Sequence, residues 1–133
     1  MLTHLNIQDQ STASLGKTEH SCRVRLAGES ITARELIRSR VFQEVEEYNS
    51  HQPQTFRLLV QPADAEPSGN AFRMRHPRLL DAQDQFDKTL DAFGRNGFVL
   101  LVDNRQVDSL DASISLRADT VVTFLKLVPL VGG

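Results

Sequence analysis

The chain has 133 residues, of which 40% are hydrophobic and 24% are charged, and its formal net charge is −2. These values are ordinary for one globular domain, and the near-zero charge excludes the basic footprint of proteins that bind nucleic acid or anionic membranes. The N-terminal segment lacks the basic and apolar regions of a signal peptide, and no apolar run reaches the roughly 18 residues of a membrane helix. We therefore expect a cytoplasmic protein without nucleic-acid or membrane partners.

Residue types that build metal or catalytic sites are few and scattered. Cys22 is the single cysteine, which excludes an internal disulfide and a multi-cysteine zinc site. The four histidines show no i, i+4 pair of the kind that binds metal on a helix; they are His4, His20, His51 and His76. No nucleophile–base arrangement and no glycine-rich phosphate loop follows from the spacing. We therefore expect no catalytic residue, no metal site and no cofactor bound by the chain itself.

The first predicted elements are two strands joined by a long turn. Residues 2–7 alternate weakly and predict an edge strand, and the polar segment 8–20 predicts a long turn. Residues 21–27 alternate between apolar and arginine side chains, a pattern typical of a half-buried strand.

The start of the first helix has the strongest local signal in the chain. Thr32 is predicted to cap the first turn, with Glu35 three residues later, and Ile31 and Leu36 have the spacing of a hydrophobic staple. Apolar residues then follow at helical spacing. The pattern predicts a helix over about 32–49.

The middle of the chain predicts less regular structure. The short apolar run 56–60 is interpreted as a strand, and the segment 61–78, with three prolines and one glycine, as a loop. A second helix is predicted to begin after a cap at Asp81 and to end at Gly94.

The last third of the chain predicts more strands. Residues 98–102 form an apolar run, Asp103-Asn104 predicts a turn, and Gln106-Val107 predicts a short return strand. Residues 120–128 alternate with apolar side chains on both faces, so we expect this strand inside the sheet. The order of elements predicts a mixed α+β fold.

Two blocks of sequence carry a resemblance to known proteins. Residues 22–37, CRVRLAGESITARELI, resemble the strand–glycine–helix segment of small sulfur carriers such as the thiamine sulfur carrier. Residues 98–133 resemble the second half of those carriers and of the molybdopterin synthase small subunit, which end in a hydrophobic residue followed by Gly-Gly. In that block the matching positions are 99–102, Asn104, Val107, Leu116, Asp119, 121–127, Gly132 and Gly133.

The resemblance implies an α+β fold of the β-grasp (ubiquitin-like) type: a four- to five-stranded mixed sheet around the first helix, with the second helix inserted. Residues 1–133 are then a single domain with an insertion at about 50–96 and an extended C-terminal tail at 129–133. The extra length resembles the ubiquitin-like modifiers of bacterial gene clusters that also encode an E1-like activating enzyme, an E2-like protein and a metal-dependent deconjugating peptidase. Such clusters are associated with antiviral defence.

The C-terminal segment is the predicted reactive part. A carboxylate is a poor acyl donor, so activation of the Gly133 carboxylate requires ATP, which the partner enzyme uses. Gly132 and Gly133 have no side chain and can pass through a narrow slot toward the nucleotide. The apolar residues just before them are predicted to dock onto the activating enzyme; these are Val128, Pro129, Leu130 and Val131.

Three functions remain open from the sequence. The first is a protein modifier that is conjugated to amines of target proteins, and the extra length favours it. The second is a sulfur carrier that forms a C-terminal thiocarboxylate. The third is a β-grasp interaction module that is not conjugated. If chains of modifier form, Lys17 in the polar turn is the candidate acceptor lysine.

Overall fold

A computed structural model describes residues 2–128 of the chain, with the backbone alone at Leu2. The described chain divides into two compact units. We call residues 2–36 with 92–128 the sheet unit and residues 37–91 the hairpin unit, and each is described by itself. The predicted single domain with an insertion at about 50–96 stays a prediction.

The described chain contains strands and two helices in a mixed order, which confirms the α+β prediction. In chain order the elements are β1 (Leu2–Ser11), β2 (His20–Ala27), β3 (Ser30–Thr32), α1 (Ala33–His51), β4 (Ala65–Ser68), β5 (Ala71–Met74), α2 (Ala82–Gly94), β6 (Phe98–Val102), β7 (Arg105–Val107), β8 (Ser113–Ser115) and β9 (Val121–Lys126).

The sheet unit is built on a five-stranded mixed sheet in the order β2-β1-β9-β6-β7. β1 and β2 form an antiparallel pair, whereas β9 runs parallel to β1, with Ile7 opposite Val122. On its other side β9 pairs antiparallel with β6, with Leu100 opposite Phe124. The last described strand therefore lies inside the sheet, as its apolar alternation predicted.

One face of this sheet carries the most deeply buried side chains of the unit. The phenyl rings of Phe98 and Phe124 lie 5.7 Å apart, and Phe93 lies 5.8 Å from Phe98. Such tilted aromatic pairs add to the free energy gained by burying their area. The buried hydrophobic residues of the sheet are Leu5, Ile7, Val24, Leu26, Phe98, Leu100, Val122 and Phe124.

Helix α1 begins as predicted at a threonine cap. The Glu35 amide donates to Thr32 Oγ1 at 3.2 Å, and Thr32 Oγ1 in turn lies 3.1 Å from a Glu35 carboxylate oxygen. The amides of Ala33 and Arg34 donate to carbonyl groups of the loop around β8, each at 3.0 Å. These bonds satisfy donors that a helix start leaves without intrahelical partners.

Two predicted boundaries in the sheet unit were wrong. The segment 8–20 is not all turn, since β1 continues to Ser11 by pairing in parallel with β9 as far as Lys126. The segment between β2 and α1 was not predicted to contain a strand, but β3 lies there and pairs antiparallel with β8, with Ile31 opposite Ile114. In both cases the partner strand lies far away in sequence, where local alternation gives no signal.

The predicted structure of the middle segment was also wrong. Residues 56–60 form no strand and contribute one isolated bridge between Phe56 and Phe72. The predicted loop 61–78 contains the antiparallel hairpin β4–β5, which turns at Gly69 with φ of +64°. Pro67 lies within β4, where its missing N–H is tolerated because the two-stranded ladder has open edges.

Helix α2 has the predicted start and ends at the predicted Gly94, but the residue with the left-handed backbone comes two positions later. The Asp84 amide donates to Asp81 Oδ1 at 3.1 Å, which confirms the cap. The helix ends at Gly94, but the left-handed residue is Asn96, with φ of +60°. The Gly97 amide donates to the Ala92 carbonyl at 2.8 Å and the Asn96 amide to the Phe93 carbonyl at 3.2 Å. This is a Schellman motif with asparagine in the left-handed position.

Candidate functional site

Residues 127–128, which follow β9, are held at the same end of the sheet as the β1–β2 turn. The Thr12 amide donates to the Lys126 carbonyl at 3.0 Å, and the Val128 amide donates to Thr12 Oγ1 at 2.9 Å. On the other side, the Leu127 amide donates to the Gly97 carbonyl at 3.3 Å. The threonine side chain thus continues the ladder between β1 and β9 as far as Val128.

The turn that supplies Thr12 is tied together by its own polar side chains. Ser11 Oγ donates to a Glu19 carboxylate oxygen at 2.7 Å, and the Ala13 amide donates to Ser11 Oγ at 3.2 Å. Ser14 Oγ donates to the Ser11 carbonyl at 2.9 Å. Ser11 is only 5% exposed. Its buried position and its hydrogen bonds fix the start of the turn, which places Thr12 beside the end of β9.

Exposed apolar side chains lie in the β1–β2 turn and in residues 127–128, the two segments that meet at this end of the sheet. Within residues 2–128, the large hydrophobic residues with the greatest exposure in the sheet unit are Leu15 at 88%, Val128 at 45% and Leu127 at 40%. Leu15 lies in the β1–β2 turn with φ of +53° and is followed by Gly16 with φ of +83°. Contiguous exposed apolar side chains are typical of an interaction surface.

The second face of the sheet continues this apolar character. Val99 lies opposite Leu125 and Leu101 opposite Thr123, on the face turned away from Phe98 and Phe124. Val99, Leu101 and Leu125 are half-buried. They form an apolar strip across β6 and β9 that runs toward the segment after β9.

The predicted site residues fall partly inside the described chain. Val128 is exposed, in agreement with a docking role, which stays a prediction. Pro129, Leu130, Val131, Gly132 and Gly133 lie outside the described residues.

The candidate acceptor Lys17 lies in the β1–β2 turn, where it is exposed. Lys88 is half-buried and lies 3.4 Å from the Asp84 carboxylate, and Lys126 is half-buried at the end of β9.

Sequence reasoning missed Thr12 and Leu15 because both lie in the polar segment that was predicted to be a plain turn. An isolated leucine before glycine in a polar stretch was the available signal for Leu15. No local pattern identifies Thr12, since its hydrogen-bond partner is 116 positions away.

Comparisons of the chain with family models, with curated proteins and with solved structures find no match. Within residues 2–128 there is no group of three or more histidine, cysteine or acidic side chains that could hold a metal ion. None of the helices in this part of the chain is long and apolar enough to cross a membrane.

Proposed function

We propose that the chain is a ubiquitin-like protein modifier with a β-grasp fold, and that the carboxylate of Gly133 is its reactive group. The observation that supports this most is the sheet order β2-β1-β9-β6-β7. A β1–β2 hairpin and a helix come first, and the last strand returns to the centre of the sheet parallel to β1. This is the order that a β-grasp requires, and the described chain ends at an exposed Val128.

The proposed chemistry needs an activating enzyme that uses ATP. A carboxylate oxygen of Gly133 attacks the α-phosphate of ATP, and pyrophosphate leaves. A thiolate of the E1-like enzyme then attacks the acyl-adenylate, and AMP leaves; an E2-like protein takes the acyl group by thioester exchange. The amine of a target protein finally attacks the thioester, so that an isopeptide bond forms and the thiol is released.

The described surface supports docking at the base of the tail. Leu15, Leu127 and Val128 offer exposed apolar area, and the proposal extends this surface through Pro129, Leu130 and Val131. A metal-dependent deconjugating peptidase would act at the same segment to release the target. By the resemblance to bacterial conjugation clusters, the proposal includes a role in antiviral defence.

The test is to look for the modifier on its targets. The chain, tagged at its N-terminus, is expressed in its source organism, and tagged proteins are enriched under denaturing conditions and cut with trypsin. Since trypsin cuts after Lys126, a modified target lysine should retain the seven residues Leu127–Gly133. Mass spectrometry should find peptides with this branch, and removal of Gly133 should abolish them.

A chemically matched control separates activation from simple binding. A semisynthetic chain with a carboxamide at Gly133 keeps every residue but cannot form the adenylate. It should give no branched peptides in an ATP-supplemented lysate of the same cells, whereas the free acid should. Branched peptides from the carboxamide, or none from the free acid, would contradict the proposal.

The sulfur carrier is the second candidate. Its signature is an intact mass in which sulfur replaces one oxygen of the Gly133 carboxylate, without adducts on other proteins. The hairpin unit favours the modifier, because a compact unit of 55 residues (37–91) is more than a reactive tail and its docking surface need. A chain that changes mass in neither way with ATP would be an interaction module.

A further inference from the structure

A cleft lies in the sheet unit between the β6–β7 turn, strand β8 and the loop that leads to β9. Its volume is about 530 Å³, within the range of sites that hold small molecules. Arg105 and Arg117 line it together with Ser113 and Ser115. Proposed conjugation uses none of these residues, so the cleft is independent of that function.

The two arginines differ from most others because, among the described residues, their side chains have no polar partner. Neither guanidinium has an ion pair or a hydrogen bond with any residue in 2–128. By contrast, Arg34 lies 2.6 Å from Asp111, and Arg40 lies 3.0 Å from Glu44. Two cationic groups that line one cleft repel each other unless an anion lies between them.

Local hydrogen bonds and turn geometry fix the backbone positions of both arginines. Arg105 follows a two-residue hairpin turn in which Asp103 and Asn104 have φ of +49° and +68°, as a type I′ turn requires. The predicted Asp103-Asn104 turn is thereby confirmed. Arg117 begins a loop in which Thr120 Oγ1 accepts the Arg117 amide at 3.2 Å and donates to the Ser115 carbonyl at 3.3 Å.

The remaining lining residues leave the cleft cationic with an apolar floor. Asp103 is the one acidic residue among them, and its carboxylate already accepts the Val121 amide at 2.9 Å. Ile114 is buried, and Val102 and Val107 are half-buried. The cleft thus combines two free guanidinium groups, two hydroxyl groups and apolar side chains.

We propose that this cleft binds a small molecule that carries phosphate groups. Each guanidinium offers five N–H donors, and its planar fork matches phosphate oxygens in pairs. A single carboxylate has only two acceptor oxygens, whereas a phosphate chain has more and can accept from both arginines and both serines. The apolar floor fits a base or another nonpolar group next to the phosphates, as in a mononucleotide.

The test uses the full chain labelled with ¹⁵N and titrated at low salt with ADP, pyrophosphate, adenosine and a glutamate-rich peptide. ADP should shift the amide signals of residues 113–117 saturably, and adenosine should not. R105Q and R117Q should each weaken ADP binding about 10-fold, the usual effect of losing a charged hydrogen bond. R25Q is the matched control, since Arg25 is exposed on β2 outside the cleft, and it should leave the affinity unchanged.

The titrations also identify the source of the phosphate. Tighter binding of ADP than of pyrophosphate identifies a nucleotide, and equal binding identifies the phosphate chain alone; both support the proposal. Equal binding of adenosine and ADP, tighter binding of the peptide, absence of binding by either phosphate compound, or an equal loss in R25Q would overturn it. Unchanged signals elsewhere in the spectra of the variants show that they remain folded.

Discussion

In the sheet unit, strands from the two ends of the chain pair with each other: Asn6 lies opposite Val121. In the hairpin unit, outside the segments of α1 and α2 that it contains, strand pairing is limited to a four-residue ladder between β4 and β5 and one isolated bridge. Between the helices, polar side chains bond several of the remaining backbone groups. Asn49 bonds both the amide and the carbonyl of Leu80, at 2.8 and 3.0 Å, and Gln85 bonds the Val60 carbonyl at 2.6 Å.

The two units therefore differ in which substitutions they should tolerate. A buried backbone group without a partner costs free energy, and each unit satisfies these groups in its own way. Strand ladders satisfy them whatever the side chains are, so the sheet unit depends on how its apolar side chains pack. Between the helices of the hairpin unit, some of the partners are the side-chain amides of Asn49 and Gln85, so single polar side chains carry more of the stability there.

The largest expected effect is the loss of a central apolar side chain of the sheet. Phe124 is fully buried in β9 and packs against Phe98. F124A should lower the free energy of unfolding by about 3–5 kcal/mol, measured by urea denaturation. L125A, next to it but half-buried on the other face, is the matched control and should cost much less. Equal losses would mean that the two faces of β9 are not distinct.

The sequence could predict the sheet unit in outline because its strands bury apolar side chains. Burial on one or both faces leaves a period of two in the side chains, which is visible at Val24 and Leu26 and in the run up to Lys126. It could not predict that β1 extends to Ser11 or that β3 pairs with β8, because those pairings depend on strands far away in sequence.

The hairpin unit was predicted poorly because its signals are not periodic. Residues 56–60 have the composition of a strand, yet they are held by one isolated bridge at Phe56 and by the Gln85 side chain at Val60 rather than by a ladder. The candidate site was predicted in part for a related reason. The sequence indicated an apolar segment from Val128 onward, but not the Thr12 side chain that holds its first residue.

The second prediction tests the polar bonds of the hairpin unit. N49A removes both bonds to Leu80 and should lower the free energy of unfolding by about 2 kcal/mol, since it leaves a half-buried amide and carbonyl without partners. N49D keeps the acceptor for the Leu80 amide but loses the donor to the Leu80 carbonyl, so it should also destabilise the unit. Native-state hydrogen exchange should become faster at Leu80 and its neighbours before it does in β1 and β9.

The control for this change is N6A, at an exposed asparagine of β1. It should leave both the free energy of unfolding and the exchange rate at Leu80 nearly unchanged. If N49A accelerated exchange equally in both units, the contrast between side-chain and ladder bonding would be wrong.

A smaller effect is expected at the rim of the sheet. T12V keeps the shape of Thr12 but removes the hydroxyl group that accepts the Val128 amide. The global free energy of unfolding should fall by about 1 kcal/mol or less, and the Val128 amide should exchange distinctly faster. T18V, in the same turn and exposed, should not affect Val128. Unchanged exchange at Val128 in T12V would show that the side chain does not hold the segment after β9.

The smallest effect belongs to an exposed ion cluster on the β4–β5 hairpin. Glu66 accepts from the Arg73 side chain, with Arg73 Nε at 3.0 Å, and Arg75 Nε lies 3.7 Å away. The hydrogen bond from Arg73 and then its charge lower the pKa of Glu66 below 4.5; burial opposes them, and the charge of Arg75 adds the smallest lowering effect. Such exposed pairs contribute little to stability.

The pH dependence of that contribution has a definite sign. Because folding lowers the pKa of Glu66, the folded state favours the carboxylate, and the stabilisation is complete above the unfolded pKa and is lost as the pH falls through the folded one. The difference in stability between wild type and E66Q should therefore be present at neutral pH and shrink below pH 4.5. E46Q, at an exposed carboxylate of α1, is the control. An NMR titration midpoint of Glu66 at or above 4.5 would contradict the pairing with Arg73.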